Sequence, residues 1–222
     1  MSISSENLQF LKDLAENNRK EWFEAHKPDF LQYKEEFKQF HESVGSLMEQ
    51  HDQISGSRAF RIYRDVRFSK DKTPYKNNWS GGFKRATSQL RGGYYYQVSP
   101  GNSFVAGGFF GPNSQDLLHI RKQISQDSEP LLEVLNSKAF KDHFGELKGE
   151  KVKTSPKGFS IDDPAIALLR HKQFLVYRNF TDEEILKPDY ASMVNESFKA
   201  MRPYFDVMSM YLTTDLNGEE LT

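Results

Sequence analysis

An α+β fold with a mostly antiparallel central sheet is the class this sequence predicts, and three observations predict it. Apolar residues recur every three or four positions through the first fifty residues, which is helical spacing. They then alternate, and two alternating runs meet at "PGN", which is hairpin chemistry. Helical spacing returns after Pro112, without the regular strand–helix–strand repetition that a parallel sheet requires. One domain over 1–222 is expected: an N-terminal helical segment at about 4–50, a sheet core at about 58–110, and mixed helices and strand over 113–222.

In order, "ENLQFLKDLAENN" sets Leu8, Leu11 and Leu14 on one helical face. "NRKEWFEAHK" follows, with Asn17 or Asn18 as its cap and Trp22 and Phe23 as its apolar pair. After Pro28, Phe30, Tyr33, Phe37, Phe40, Val44 and Leu47 make one stripe of a long helix. Phe60, Ile62, Val66 and Phe68 alternate as in a half-buried strand. "KDKTPYKNNWSGG" reads as turn chemistry. Tyr94 to Ser99 and Ser103 to Phe110 form the hairpin strands. Asn113 or Ser114 caps the next helix, and "SEPLLEVLNS" carries its proline in a first turn. A short strand at Lys151 to Thr154, a helix in "DDPAIALLRHK", a strand in "QFLVYRNF" and a turn opened by Thr181 precede a closing helix from about Pro188 to Leu212.

Composition narrows the function classes. An aromatic content of 14% offsets a modest 37% hydrophobic fraction, so the chain can build a core and is not a disordered one. With no cysteine, disulfides and thiolate metal sites are excluded. The N-terminus lacks the basic and apolar regions of a signal peptide, and no run approaches the roughly 18 apolar residues of a membrane helix. A cytoplasmic protein without membrane contact is expected, its oligomeric state left open.

Charge is the informative feature. Residues 58–91 hold ten Lys or Arg against Asp65 and Asp71, a local +8 in a chain whose formal total is −1. As a strand, Arg61, Asp65 and Arg67 would share one face and Arg64 would lie among apolar neighbours, where it needs a carboxylate, a carbonyl or a bound anion. Guanidinium forks suit bidentate contacts with carboxylate or phosphate, and "SKDKTPYKNN" adds mobile ammonium groups. The alternative is that Asp65 and the acidic remainder of the chain satisfy these cations inside the fold. Nucleic acid is the less favoured partner, because the chain as a whole is slightly acidic.

Catalytic motifs are weak. Ser69-Lys70-Asp71-Lys72 matches S-x-x-K, but that spacing works on a helix and Pro74 argues for a turn. "GGFFGP" at Gly107 to Pro112 lacks the ending of a P-loop. The six His form no HxH or HExxH pair, and His26 and His41 are expected on solvated helix faces. No metal and no cofactor are expected.

"FRIYRDVRFSKDKTPYKNNWSGGF", together with "YYYQVSPGNSFVAGGFFGP" and "SPKGFSIDDPAIALLRHKQFLV", resembles a bacterial family catalogued as domain of unknown function 2461. The resemblance implies an intracellular α+β protein and carries over no catalytic residue. The residues themselves point to binding of an anionic, phosphate-bearing ligand through Arg61, Arg64 and Arg67, with Lys70, Lys72 and Lys76 as mobile counter-charges and Tyr95 as a wall. A phosphorylated small molecule is the expected partner. A hydrolase or transferase acting on a phosphoester or acyl compound at the same place would use Asp65 or Tyr75 for proton transfer. The third reading is a structural or protein-interaction domain with the arginines in internal ion pairs.

Overall fold

A computed structural model of the chain describes residues 1–221. The elements run α1 (Ser5–Glu16), α2 (Lys20–Ala25), α3 (Lys27–Met48), β1 (Ile54–Ala59), β2 (Trp79–Arg85), β3 (Gly93–Val98), β4 (Ser103–Phe109), α4 (Ser114–Gln126), α5 (Glu129–Asn136), α6 (Lys138–Phe144), α7 (Ile166–Leu169), β5 (Phe174–Phe180), α8 (Asp182–Ile185), α9 (Tyr190–Ala200) and α10 (Arg202–Thr213). The five strands form one antiparallel sheet in sequence order, β1-β2-β3-β4-β5. The α+β class and the antiparallel sheet are those the residue pattern predicts. No helix among the described residues is long and apolar enough to cross a membrane.

Two compact units make up the chain: Met1–Phe83 with Tyr95–Val105 and Asn179–Glu196, and Lys84–Tyr94 with Ala106–Arg178 and Ser197–Thr222. In the first, the predicted stripe of α1 is buried at Leu8, Leu11 and Leu14, and that of α3 at Phe30, Phe37, Phe40 and Val44, with Tyr33 and Leu47 half-buried. A fully buried side chain of this size stabilises by about 2 kcal/mol, so these stripes hold the unit together. Ser4 caps α1 by accepting from the Asn7 amide at 3.2 Å, and Glu36 fixes that serine through its backbone and hydroxyl at 2.6 and 2.8 Å. Buried Asn7 is satisfied on both sides, donating to the Tyr33 carbonyl at 3.2 Å and accepting from the Trp79 indole at 2.7 Å. In the second unit α10 buries Tyr204, Phe205 and Met208, and the Tyr204 hydroxyl donates to the Phe174 carbonyl at 2.8 Å. Asn113 and Thr181 cap their helices as expected.

Several expectations are corrected. The first strand is Ile54–Ala59, and 60–78 is an ordered loop rather than a strand through Phe68. "WSGG", read as the end of a turn, opens β2 instead: Gly81 is there because any Cβ would collide with His41 and Tyr96. Lys151 makes one isolated bridge to His171 instead of a strand. The C-terminal helix is two helices meeting at Met201, since Pro203 belongs to the first turn of α10 and cannot donate back into α9.

Candidate functional site

The cationic stretch divides into a base, a tip and a separate segment. At the base, the backbone continues the pairing of β1 with β2 outward. Phe60 donates to the Ser80 carbonyl at 2.8 Å, Lys76 to Ile62 at 2.8 Å and Arg64 to Pro74 at 2.9 Å, and Tyr63 bridges Tyr75. Asn18 clamps this ribbon, with its amide donating to the Tyr75 carbonyl at 2.9 Å and its oxygen accepting from the Tyr75 amide at 3.1 Å. The Tyr75 ring lies flat on Phe23, 3.9 Å between centroids. The loop is therefore anchored in the core by an aromatic stack and two hydrogen bonds.

The tip consumes its own acids. Arg67 takes Asp65 bidentately at 2.9 and 2.6 Å, and that contact holds the Asp65 carboxyl below its usual range. Arg64 pairs with Asp71 and also donates to Thr73. The Arg64 contact, with the Thr73 amide and hydroxyl, takes the Asp71 carboxyl down to about 2. Lys72 donates to the Val66 carbonyl at 2.9 Å, while Lys70 stands exposed.

The base is different. Burial lowers the Lys76 pKa first, and Arg61, Arg58 and Arg64 lower it further. Lys76 and Arg58 flank the same ring, 5.7 and 5.3 Å from the Phe60 centroid. Tyr95 stands 6.1 Å from Phe60 and Phe104 5.8 Å from Tyr95, so an aromatic strip borders the charge. Beside it lies a cavity of about 330 Å³ whose lining includes Arg64, Thr73, Lys76, Asn77 and Asn78, with Asp71, the partner of Arg64, also on its wall. Among the described residues no carboxylate forms a salt bridge with Arg58, Arg61 or Lys76.

Of the residues singled out from the sequence, Arg61, Lys76 and Tyr95 converge at the base, and Arg64 adjoins them with its guanidinium already paired to Asp71. Arg67, Lys70 and Lys72 belong to the tip. Tyr75 is buried, with its hydroxyl pKa raised by that burial. Arg58 was missed as a site residue, although its place two residues before Phe60 was visible as part of the charge count.

A second constellation was also missed. His41 is buried rather than solvated, its Nε2 2.7 Å from the Ser57 hydroxyl and its Nδ1 2.8 Å from the Tyr96 hydroxyl. The arrangement has the outline of a serine–base pair. Burial, however, pushes the imidazole down to about 4, too weak a base to take a serine proton efficiently near neutrality. The network serves to satisfy polar groups beneath the sheet.

A family model described as "Conserved hypothetical protein (DUF2461)" matches residues 6–206. The chain belongs to this family. The matched DUF2461 region takes in the whole loop, its anchor at Asn18 and both strands that carry it. No curated protein and no solved structure matches the chain.

Proposed function

We propose that this DUF2461 protein binds a phosphate-bearing anion at the base of the loop, on Lys76 with Arg58, Arg61 and Arg64. One observation carries the reading: Lys76, half-buried, and Arg58 sit on the same Phe60 ring, 5.7 and 5.3 Å from its centroid, with no salt bridge to a carboxylate among the described residues. Burial first and the neighbouring guanidinium groups second lower the Lys76 pKa. Bringing like charges together under partial burial is unfavourable, and a bound anion is the ordinary way to offset it. The adjacent aromatic strip of Phe60, Tyr95 and Phe104 gives a base or sugar ring a surface to lie on. Binding is favoured over turnover, because the proton-transfer candidates are engaged elsewhere: Asp65 holds Arg67, and Tyr75 stacks in the core.

A thermal-shift series at low salt tests this, comparing phosphate, pyrophosphate, nucleotides, sugar phosphates and short oligonucleotides with sulfate and chloride. A selective rise in melting temperature that disappears in Lys76→Ala is the expected result. A rise that survives Lys76→Ala, or none with any of these anions, would sink the proposal.

A further inference from the structure

On the other flank of the loop base a cavity of about 430 Å³ opens against α3. Its floor is apolar: Phe30, Phe37, Ile62 and Trp79 are all buried. The Trp79 ring lies 5.4 Å from Phe37 and 5.9 Å from Phe30, nearly parallel to both, so the floor is a stack of flat rings. At the mouth Leu31 is 53% and Tyr63 44% exposed, a large apolar area for two side chains next to a concavity.

The lining contains no carboxylate and four cations, Lys27, Lys34, Lys38 and Arg61. Two of these are matched along the helical surface: Lys27 meets Glu24 at 3.1 Å, and Lys38 lies 3.8 Å from both Glu35 and Glu42. Lys34 and Arg61 have no salt-bridge partner among the described residues. Arg61 comes close enough to Asp65 to lower its pKa without pairing with it. An apolar floor with two unmatched cations at its rim is complementary to one ligand shape.

We propose that this cavity is a second binding site, for a small organic anion with a flat apolar body and a carboxylate or phosphate head. The body packs against Leu31 and Tyr63 at the mouth, above the buried Trp79–Phe37 floor, and the head meets Lys34 and Arg61. The volume is that of a small-molecule site, about 300–1,000 Å³, and the concave mouth is too small for a protein interface of about 1,000 Å² or more. The two sites share Arg61, but Lys34 and the ring floor line this cavity alone and Lys76 lines the other.

Calorimetric titration with 1-naphthoate, 1-naphthyl phosphate, 1-naphthol and inorganic phosphate tests it. Both naphthyl anions should bind, the tighter one naming the preferred head, with 1-naphthol about tenfold weaker and saturating inorganic phosphate, which shares only Arg61, weakening them less than about threefold. Lys34→Ala should weaken naphthoate about threefold to fivefold, and Leu31→Asp should abolish it by setting a negative charge at the mouth. Lys34 and Leu31 are exposed, so unchanged melting temperatures will show that both variants fold. Lys76→Ala should leave naphthoate binding intact. Naphthol binding as tightly as naphthoate, an unaltered affinity in Lys34→Ala, or a loss in Lys76→Ala would each overturn the proposal, the last by moving the anion to the other site.

Discussion

Two halves of one basic stretch meet opposite fates. At the end of β2, Arg85 is fully buried, bonded to the Arg91 carbonyl at 3.1 Å and to Asp206 at 3.3 Å, with its guanidinium over the Phe205 ring. Arg91 pairs with Asp116 at 2.8 Å, and its amide donates to Ser209 at 2.9 Å. There the cations are parts of the fold. At the loop base, Arg58, Arg61 and Lys76 crowd one another instead, with no acid in salt-bridge range among the described residues. The same residue type is structural where a helix supplies a carboxylate opposite it and available where none does. Sequence charge counts cannot separate the two, because the partners come from residues 116 and 206, far along the chain.

The contrast is broken most directly by exchanging each region's arginine for alanine. Arg85→Ala removes a large, fully buried side chain and should cost about 3–5 kcal/mol of stability by urea denaturation. Arg85→Met, which keeps much of the volume, should recover part of that. Arg61→Ala should stay within about 0.5 kcal/mol of the parent. Similar losses at both positions would mean that Arg61 too is a fold residue, and the division would fail.

Acid sharpens the comparison on the loop's side. The loop base continues strands that rest on neutral His41. The imidazole pKa is near its ordinary 6.5 when unfolded and about 4 when folded, so between these values the unfolded chain binds more protons. Stability should therefore fall as pH drops from about 6.5 to about 4 and level off below, by up to about 3 kcal/mol. His41→Gln should remove about one proton from the pH slope in that window. A slope unchanged by the substitution would show that His41 is not the group responsible.

Much of the fold was legible because it rests on local periodicity. The α1 and α3 stripes, the hairpin around Gly101 and the capping residues Asn113 and Thr181 all declare themselves within a few residues. β2 did not, because Gly81 is required by His41 and Tyr96, residues remote in sequence. The loop was mistaken for a strand because its apolar alternation is real but serves two ends: Ile62 enters the core while Phe68 does not. Candidate residues were legible by type, and their grouping was not. Arg61, Arg64 and Lys76 come together through the ribbon pairing of 60–64 with 74–80, whereas Arg67 is drawn away by Asp65, only two residues from it.

Ionic strength gives a smaller and more selective readout. If the base cations repel one another, raising chloride from about 0.02 to about 0.2 M screens that repulsion and should raise the melting temperature. For a chain of this size the gain should be about 1–2 °C in the parent relative to Lys76→Ala. A parent that responds to salt no more than the variant would mean the repulsion is already offset within the fold, and the loop base would then resemble the Arg85 segment after all.

The smallest expected effect falls on the residue where pattern and structure disagree most. Phe68 is 96% exposed at the loop tip, although its place in the alternation after Phe60, Ile62 and Val66 marked it for the core. A side chain that leaves almost no surface in the fold contributes almost no burial energy, so Phe68→Ser should change stability by less than about 0.5 kcal/mol. Ile62→Ala, two steps from Phe60 and 2% exposed, should cost about 2–4 kcal/mol in the same assay. The pair tests the loop assignment with hardly any dependence on charge. Equal, large losses at both positions would restore a strand running through Phe68, and Arg64 would then face the core beside it. A large loss at Ile62 alone leaves the ribbon ending before the tip, with the cations of the base held on an ordered support and those of the tip outside it.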